Sequence, residues 1–255
     1  MARKGKIIDR VGEKGINNFG SEMIIVKDKG WNKIKVYFEE YNWVSDYVRY
    51  DNFKKGSIKC PYERNVYGVG YLGVGKYQHK THKKIYDTWR LMFRRCYSEE
   101  YHKRQPTYKD CEVCEEWRDF QNFAKWYEDN YYEVKNETMC LDKDILVKRN
   151  KIYSPYTCIF APQRINLLFT KNNKRRGNNP IGVFYNKERD KFQACCNDLN
   201  GKYKTIGRFN NMNDAFNSYK NFKERVIKDV ANLYKGLVPN KLYNAMVNYE
   251  VDIDD

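Results

Sequence analysis

Residues 141–166 carry the sequence LDKDILVKRNKIYSPYTCIFAPQRIN, which decides how the middle of the chain folds. At the start of this stretch, a short apolar run is followed by two carboxylates, Asp142 and Asp144, which flank Lys143. A turn-rich loop follows, and a second short apolar run then leads to Pro162. The stretch therefore predicts a strand, a loop, a second strand and a helix that begins near Pro162.

The composition points to a polyanionic partner. Among the 255 residues, 48 Lys and Arg face 33 Asp and Glu, so that the net charge is +15. Such a charge makes compaction costly through self-repulsion, and a bound polyanion relieves that cost. Aromatic residues make up 16% of the chain, and a basic surface rich in aromatics is typical of nucleic-acid-binding proteins. The alternative is a well-charged surface with no special partner.

The chain has no feature that predicts a membrane or secretory protein. No apolar window reaches the roughly 18 residues that a membrane span needs. The first ten residues, MARKGKIIDR, contain no apolar core of a secretory signal. We therefore expect a cytoplasmic protein without a membrane partner, whose eight cysteines are thiols.

Four cysteines raise the question of a structural zinc site. Cys111 and Cys114 form a CxxC pair, and Cys140 and Cys158 follow, so that four thiolates could close around one ion. The chain has no second CxxC pair, however. Buried free thiols are the preferred interpretation.

Hydrophobic patterning divides the chain into parts. Residues 1–60 are predicted to form a small β unit, with strands at 23–26 and 34–38 and a third at 47–50. Residues 61–170 form the middle domain. It contains the stretch quoted above and two helices with apolar faces, which begin near Lys83 and near Glu115.

The last third begins with a basic linker. Residues 171–179, KNNKRRGNN, suit the phosphate backbone of a nucleic acid through Lys174, Arg175 and Arg176. Residues 180–240 predict three antiparallel strands and a covering helix that is capped by Asn213 or Asp214. Residues 241–255 are expected to form a mobile acidic tail.

The span from Tyr86 to Asn166 resembles the HNH-type endonucleases of phages and mobile introns. The similarity lies in YDTWRLMFRRCY, YKDCEVCEEWRDFQNFAKWYED, LDKDI and NKIYSPYTCIFAPQRIN. The resemblance implies a ββα-metal fold with added helices, which holds one divalent cation and cleaves phosphodiesters. It places the metal ligands at Asp142 and Asn166, whose oxygens suit Mg²⁺ or Mn²⁺ better than zinc.

The resemblance places Lys143 where the family has its histidine base. A lysine is charged at neutral pH, because its ordinary pKa is about 10.4, and cannot take a proton from water. His102 is the best alternative base. Two interpretations follow: a metal-dependent DNA endonuclease, or a degenerate nuclease of phage origin that only binds. The second would act in the host cytoplasm as a regulator, or as an inhibitor of host defence with a host protein as partner.

Residues 180–236 resemble AP2-type DNA-binding domains. The similarity lies in IGV, KFQA, IGRF and DAFNSY. The resemblance implies a sheet that lies in the major groove of double-stranded DNA, and RNA is an alternative partner. The candidate contacts on and between the strands are Tyr185, Lys187, Arg189, Lys191, Gln193, Lys202, Lys204 and Arg208. The whole chain is thus predicted to be an α+β protein with a β unit, an HNH-like domain and an AP2-like domain.

Overall fold

The computed structural model describes residues 9–170 and 179–253. Within those ranges the chain forms seven α-helices and twelve short strands, which confirms the predicted α+β class. The chain divides into two compact units, residues 1–129 and 130–255. The boundary lies inside the span 61–170, which the sequence predicts as one domain.

The N-terminal unit begins with a small antiparallel sheet. Its strands β1 to β4 lie in sequence order, and β5 pairs with β3. One face is buried against Phe53, because apolar side chains alternate with polar ones along β2 and β3. The predicted third strand is shorter than expected, since Tyr50 already begins a helix. The elements are β1 (Lys14–Ile16), β2 (Glu22–Asp28), β3 (Lys33–Phe38), β4 (Trp43–Val44), β5 (Val48–Arg49) and α1 (Tyr50–Lys54).

The rest of this unit contains three helices and one short strand. The helix predicted near Lys83 is present and buries Trp89 and Phe93 on its apolar face. The helix predicted from about Glu115 begins only at Phe120, because a 3₁₀ turn and the extended backbone of Asp119 come first. The elements are α2 (Lys83–Tyr97), α3 (Glu99–Arg104), β6 (Glu112–Val113) and α4 (Phe120–Asn130), with 3₁₀ turns at Glu39–Tyr41, Pro106–Tyr108 and Glu116–Arg118.

The C-terminal unit begins with the predicted strand, loop, strand and helix. Strand β7 pairs antiparallel with β9, with Asp142 opposite Ile159, and α5 follows β9 at once. The elements are β7 (Met139–Asp142), β8 (Ile152–Tyr153), β9 (Ile159–Pro162), α5 (Gln163–Leu168), β10 (Val183–Asn186), β11 (Lys191–Asn197), β12 (Tyr203–Phe209), α6 (Met212–Leu233) and α7 (Asn240–Val247).

Helix α6 belongs to two hydrophobic cores. Its N-terminal half packs beneath the antiparallel sheet β10–β11–β12 through Ala215 and Tyr219. Its C-terminal half packs through Ile227 on Ile159 and Ile165 of the β7–β9–α5 segment. The two segments that the sequence predicts as separate HNH-like and AP2-like domains therefore share one helix.

The predicted cap of this helix is wrong by two or three residues. Asn211 is the N-cap, and its Oδ1 accepts the backbone N–H of Asp214 at 2.8 Å. Asn213 and Asp214 lie inside the first turn, because Asn211 is the residue that keeps extended backbone angles.

The predicted mobile acidic tail is also wrong for residues 241–253. Helix α7 buries Leu242 and Met246 in the core that contains the C-terminal half of α6, and Val251 joins the core beneath the sheet. Lys148 Nζ donates to Asp252 Oδ2 at 2.7 Å. The spaced apolar side chains outweigh the acidic character of the segment, because each one removes its surface from water.

Lys174, Arg175 and Arg176 lie outside the described residues. Within residues 9–170 and 179–253, no helix has the length and apolar character that a membrane span requires.

Candidate nucleic-acid interface and the turn at Asp142

Asp142 holds the turn that follows β7. Its Oδ1 accepts the backbone N–H groups of Asp144 and Ile145, both at 2.7 Å. Burial raises the pKa of the Asp142 carboxyl, although these two N–H groups pull in the opposite direction. The Asp142 side chain therefore stabilises this turn whether or not a ligand is bound.

Lys143 closes the loop between β7 and β8. The residue is only 6% exposed, and its Nζ donates to both carboxylate oxygens of Asp144 at 2.7 and 2.8 Å. It also donates to the backbone oxygen of Asn150 at 2.7 Å. Asn150 Nδ2 in turn donates to the backbone oxygens of Lys143 and Ile152. The three protons of the ammonium group thus have three acceptors, an arrangement that holds the charged form.

The donors around Asp142 fit a divalent cation poorly. One Asp142 oxygen already accepts two N–H groups, and both Asp144 oxygens face the Lys143 ammonium. Asn166 lies half-buried on α5, which packs on β7 and β9, and could add one amide oxygen. Across residues 9–170 and 179–253, no group of three or more His, Cys, Asp and Glu side chains could hold a metal ion.

His102 has a local structural contact in the N-terminal unit. It lies on α3, and its Nε2 is 2.8 Å from the backbone oxygen of Arg95 on α2. Asp142, Lys143 and Asn166 belong to the C-terminal unit. The proposed base and the proposed metal ligands are therefore placed by different units.

The cysteines likewise divide between the units. Cys111 and Cys114 lie in the N-terminal unit, and Cys140 and Cys158 lie in the C-terminal unit. All eight cysteines of the chain are reduced thiols. Burial raises the pKa of the Cys114 thiol, which favours its neutral form.

The sheet β10–β11–β12 has one face that points away from α6. Val183 and Ala194 are buried against that helix, so that their neighbours along each strand point to the opposite side. Phe184, Gln193 and Arg208 form a row across the three strands. Lys191 continues this side opposite Asn186. We call the residues Phe184, Lys191, Gln193 and Arg208 the outer face.

Local hydrogen bonds order the outer face. Gln193 Nε2 donates to Thr205 Oγ1 at 2.9 Å, and Lys191 Nζ donates to Asn210 Oδ1. Arg208 is exposed. Gln193 Nε2 also donates to Cys195 Sγ at 3.3 Å, so that both of its N–H groups have acceptors on the sheet and the amide is ordered between the lysine and the arginine.

The other predicted contacts lie elsewhere on this sheet. Tyr185 is opposite Phe192, which packs towards α6, and its hydroxyl donates to Asp190. Lys204 is opposite the buried Cys196 and is itself exposed. The remaining candidates lie in the turns between strands: Lys187, Arg189 and Lys202. Of the eight predicted residues, the structure therefore brings Lys191, Gln193 and Arg208 to the outer face.

A second basic surface lies in the N-terminal unit, whose lysines the sequence leaves open as phosphate contacts or solvated side chains. Cross-strand pairing in the small sheet puts Lys27 directly opposite Lys35, and Lys33 directly opposite Arg49. The alternation of Lys33 and Lys35 with buried apolar residues could have indicated an exposed basic face. The strand register that pairs these cations is not visible in the sequence.

Comparisons of the chain with protein-family models, curated proteins and solved structures gave no match.

Proposed function

We propose that this protein binds double-stranded DNA through the outer face of the sheet β10–β11–β12. The observation that carries the proposal is the arrangement of the half-buried Lys191 and Gln193 and the exposed Arg208 on one face of a sheet whose other face is buried on α6. The major groove of B-DNA is wide enough to admit β-strands, and β-sheet readers of DNA use this geometry. The net charge of +15 supports a polyanionic ligand.

The three side chains suit different parts of the groove. An arginine can donate two parallel hydrogen bonds to guanine, and a glutamine can pair with adenine once its Nε2 releases Thr205 or Cys195. A lysine serves as a phosphate contact that is independent of sequence. The deep and narrow major groove of A-form RNA excludes such side chains, and this favours DNA over duplex RNA.

The double variant Lys191→Ala/Arg208→Ala tests this proposal. We expect its affinity for a duplex of about 20 base pairs to fall roughly tenfold or more at about 0.1 M salt. The slope of log affinity against log salt should also become shallower by about one, because the phosphate contact of Lys191 is lost. Fluorescence anisotropy of a labelled duplex at several salt concentrations measures both quantities.

A charge-matched control separates a specific face from a general basic surface. Lys228→Ala/Lys241→Ala removes the same charge from exposed positions on α6 and α7 of the same unit. This control should keep nearly the full duplex affinity. Equal losses in the two double variants, or no duplex affinity in the unmodified protein, would contradict the proposal.

Metal-dependent DNA cleavage is the second candidate function. The antiparallel pair β7–β9 followed at once by α5 supports it, because this places Asp142 and Asn166 on elements that pack together. Against it stand the fully engaged Lys143 ammonium and the occupied carboxylates around it. We therefore propose a protein that binds DNA without cutting it, in the manner of a regulator or an inhibitor of a host system.

A plasmid-nicking assay with Mg²⁺ or Mn²⁺ distinguishes the two functions. We expect the unmodified protein to leave supercoiled plasmid intact, because the Lys143 ammonium group, at the position of the family's histidine base, already donates to Asp144 and Asn150. Asp142→Asn is the matched variant, since an amide oxygen can accept the same two N–H groups and preserve the turn. Cation-dependent nicking that disappears in Asp142→Asn would establish the endonuclease instead.

A further inference from the structure

The tip of the β2–β3 hairpin has an unusual backbone for its sequence. Lys33 N–H donates to the backbone oxygen of Gly30 at 3.0 Å, and the two central residues, Trp31 and Asn32, have φ values of 48° and 66°. Two positive φ values define a type I′ turn, in which Asn, Asp and Gly are the favoured residues. A bulky residue such as Trp31 is a conformational outlier there.

Packing does not compensate this conformation. Trp31 is 98% exposed, the highest exposure among the large hydrophobic residues of the described chain. A tryptophan that stays in water forgoes the hydrophobic gain that normally accounts for its presence. An unfavourable backbone conformation that no packing of the side chain offsets indicates a functional position.

Hydrogen bonds to residues on both sides nevertheless hold the tip of the hairpin in place. Asn32 Nδ2 donates to Asp51 Oδ2 at 2.7 Å, and the Asp51 N–H donates back to Asn32 Oδ1 at 2.9 Å. The Gly30 N–H donates to Asp28 Oδ1 at 2.8 Å on the other side of the turn. These bonds fix the backbone on both sides of Trp31, which lowers the entropy that a ligand must overcome.

Cations surround the tip. The pairs Lys27–Lys35 and Lys33–Arg49 place like charges directly opposite each other, which is destabilising in a sheet. Lys29 Nζ and Lys35 Nζ lie 4.5 and 5.2 Å from the centre of the Tyr47 ring. We call these residues the basic hairpin: Lys27, Lys29, Lys33, Lys35, Arg49 and Tyr47.

The nearby acids leave most of this charge uncompensated. Asp28 is paired with Arg10 at 3.2 Å, and Asp51 with Arg49 at 2.7 Å. For Tyr47, desolvation raises the pKa, but a hydrogen bond from Lys29 and the charges of Lys27 and Lys29 outweigh it, so that the pKa is lowered. Both observations describe a positive local potential, which a polyanion would complement.

We propose that the basic hairpin is a second nucleic-acid site, in which Trp31 stacks on an unpaired base while the surrounding cations contact the flanking phosphates. Stacking on an aromatic ring combined with a basic track is how proteins bind single strands without strict sequence preference. A lipid surface fits less well, because Trp31 is the single large apolar side chain at the tip and membrane binding grows with buried apolar area. This site is independent of the outer face proposed for duplex DNA.

The variant Trp31→Asn tests the site without endangering the fold. Asparagine suits the left-handed turn, so the thermal unfolding midpoint should stay the same or rise. The affinity for a labelled oligothymidylate of about 20 nucleotides should fall roughly tenfold, the effect of losing one stacked base. Trp31→Phe should retain most of the affinity, because a smaller aromatic ring still stacks.

A control and two further ligands make the test decisive. Tyr156→Asn removes an aromatic side chain that is 85% exposed in the C-terminal unit and should leave oligothymidylate binding unchanged. Equal oligothymidylate affinities of Trp31→Asn and the unmodified protein would overturn the proposal. So would a selective loss of binding to vesicles of phosphatidylserine and phosphatidylcholine. Duplex binding by the outer face should survive Trp31→Asn, so that the two sites can fail separately.

Discussion

Replacing Trp89 with alanine is expected to lower the free energy of unfolding by about 3–5 kcal/mol. The residue is fully buried on α2, and the centroid of its ring lies 4.8 Å from that of Phe93 and 5.4 Å from that of Phe120. Its Nε1 also donates to the backbone oxygen of Trp117 at 2.7 Å. The substitution therefore leaves both a cavity among aromatic rings and an unpaired buried carbonyl.

Two comparison variants separate these contributions. Trp89→Phe keeps much of the ring volume but removes the donor, and should cost less than the alanine variant. Leu91→Ala removes a side chain that is 47% exposed on the same helix and should stay within about 0.5 kcal/mol of the unmodified protein. Urea denaturation followed by circular dichroism measures all three. A Trp89→Ala loss no larger than that of Leu91→Ala would show that this aromatic core does not stabilise the unit.

Gly182→Ala is expected to destabilise the C-terminal unit by about 2–4 kcal/mol. Gly182 has a φ of +74°, and a Cβ at this position would lie 2.1 Å from Cδ2 of Tyr219. The backbone cannot easily retreat, because the Gly182 oxygen accepts the N–H of Cys195 at 2.8 Å. Tyr219 cannot easily move either, since it is buried between the sheet and α6.

Gly201→Ala is a matched control for the backbone part of this effect. Gly201 has nearly the same φ, +77°, but no atom lies within 4 Å of its prospective Cβ. Its substitution should therefore cost only about 1–2 kcal/mol, the penalty of the left-handed conformation. The difference between the two variants isolates the clash with Tyr219. In the background Tyr219→Ala, Gly182→Ala should cost no more than Gly201→Ala, and a full cost there would refute the clash.

For the segment around Asp142, the local sequence predicts the secondary structure but not the side-chain contacts. The order strand, loop, strand and helix over residues 141–166 was predictable, because apolar runs and turn residues specify it locally. The role of Lys143 was not, because its acceptors include a backbone oxygen seven residues away in a loop without regular structure. Alignment with a family motif places a residue in a role, but only the folded loop shows what its ammonium group contacts.

Helix α6 and the C-terminal segment show the same division. The sequence shows that α6 has an apolar face, but it does not show which segments pack on that face. Its two halves meet different partners, so that two segments with separate sequence character share one helix. The acidic residues of the C-terminal segment suggested mobility, while the burial of Leu242, Met246 and Val251 decided otherwise.

The sequence by itself determined the α+β class, most strands and helices, and the strongly cationic character, since all of these follow from composition and short-range periodicity. The tertiary structure alone decided which cations face each other across a sheet, where Trp31 points, and that Lys143 is engaged by the loop it closes. These features depend on strand register and on contacts between residues that are distant in the chain. Such contacts are fixed by the packing of the whole unit rather than by any local pattern.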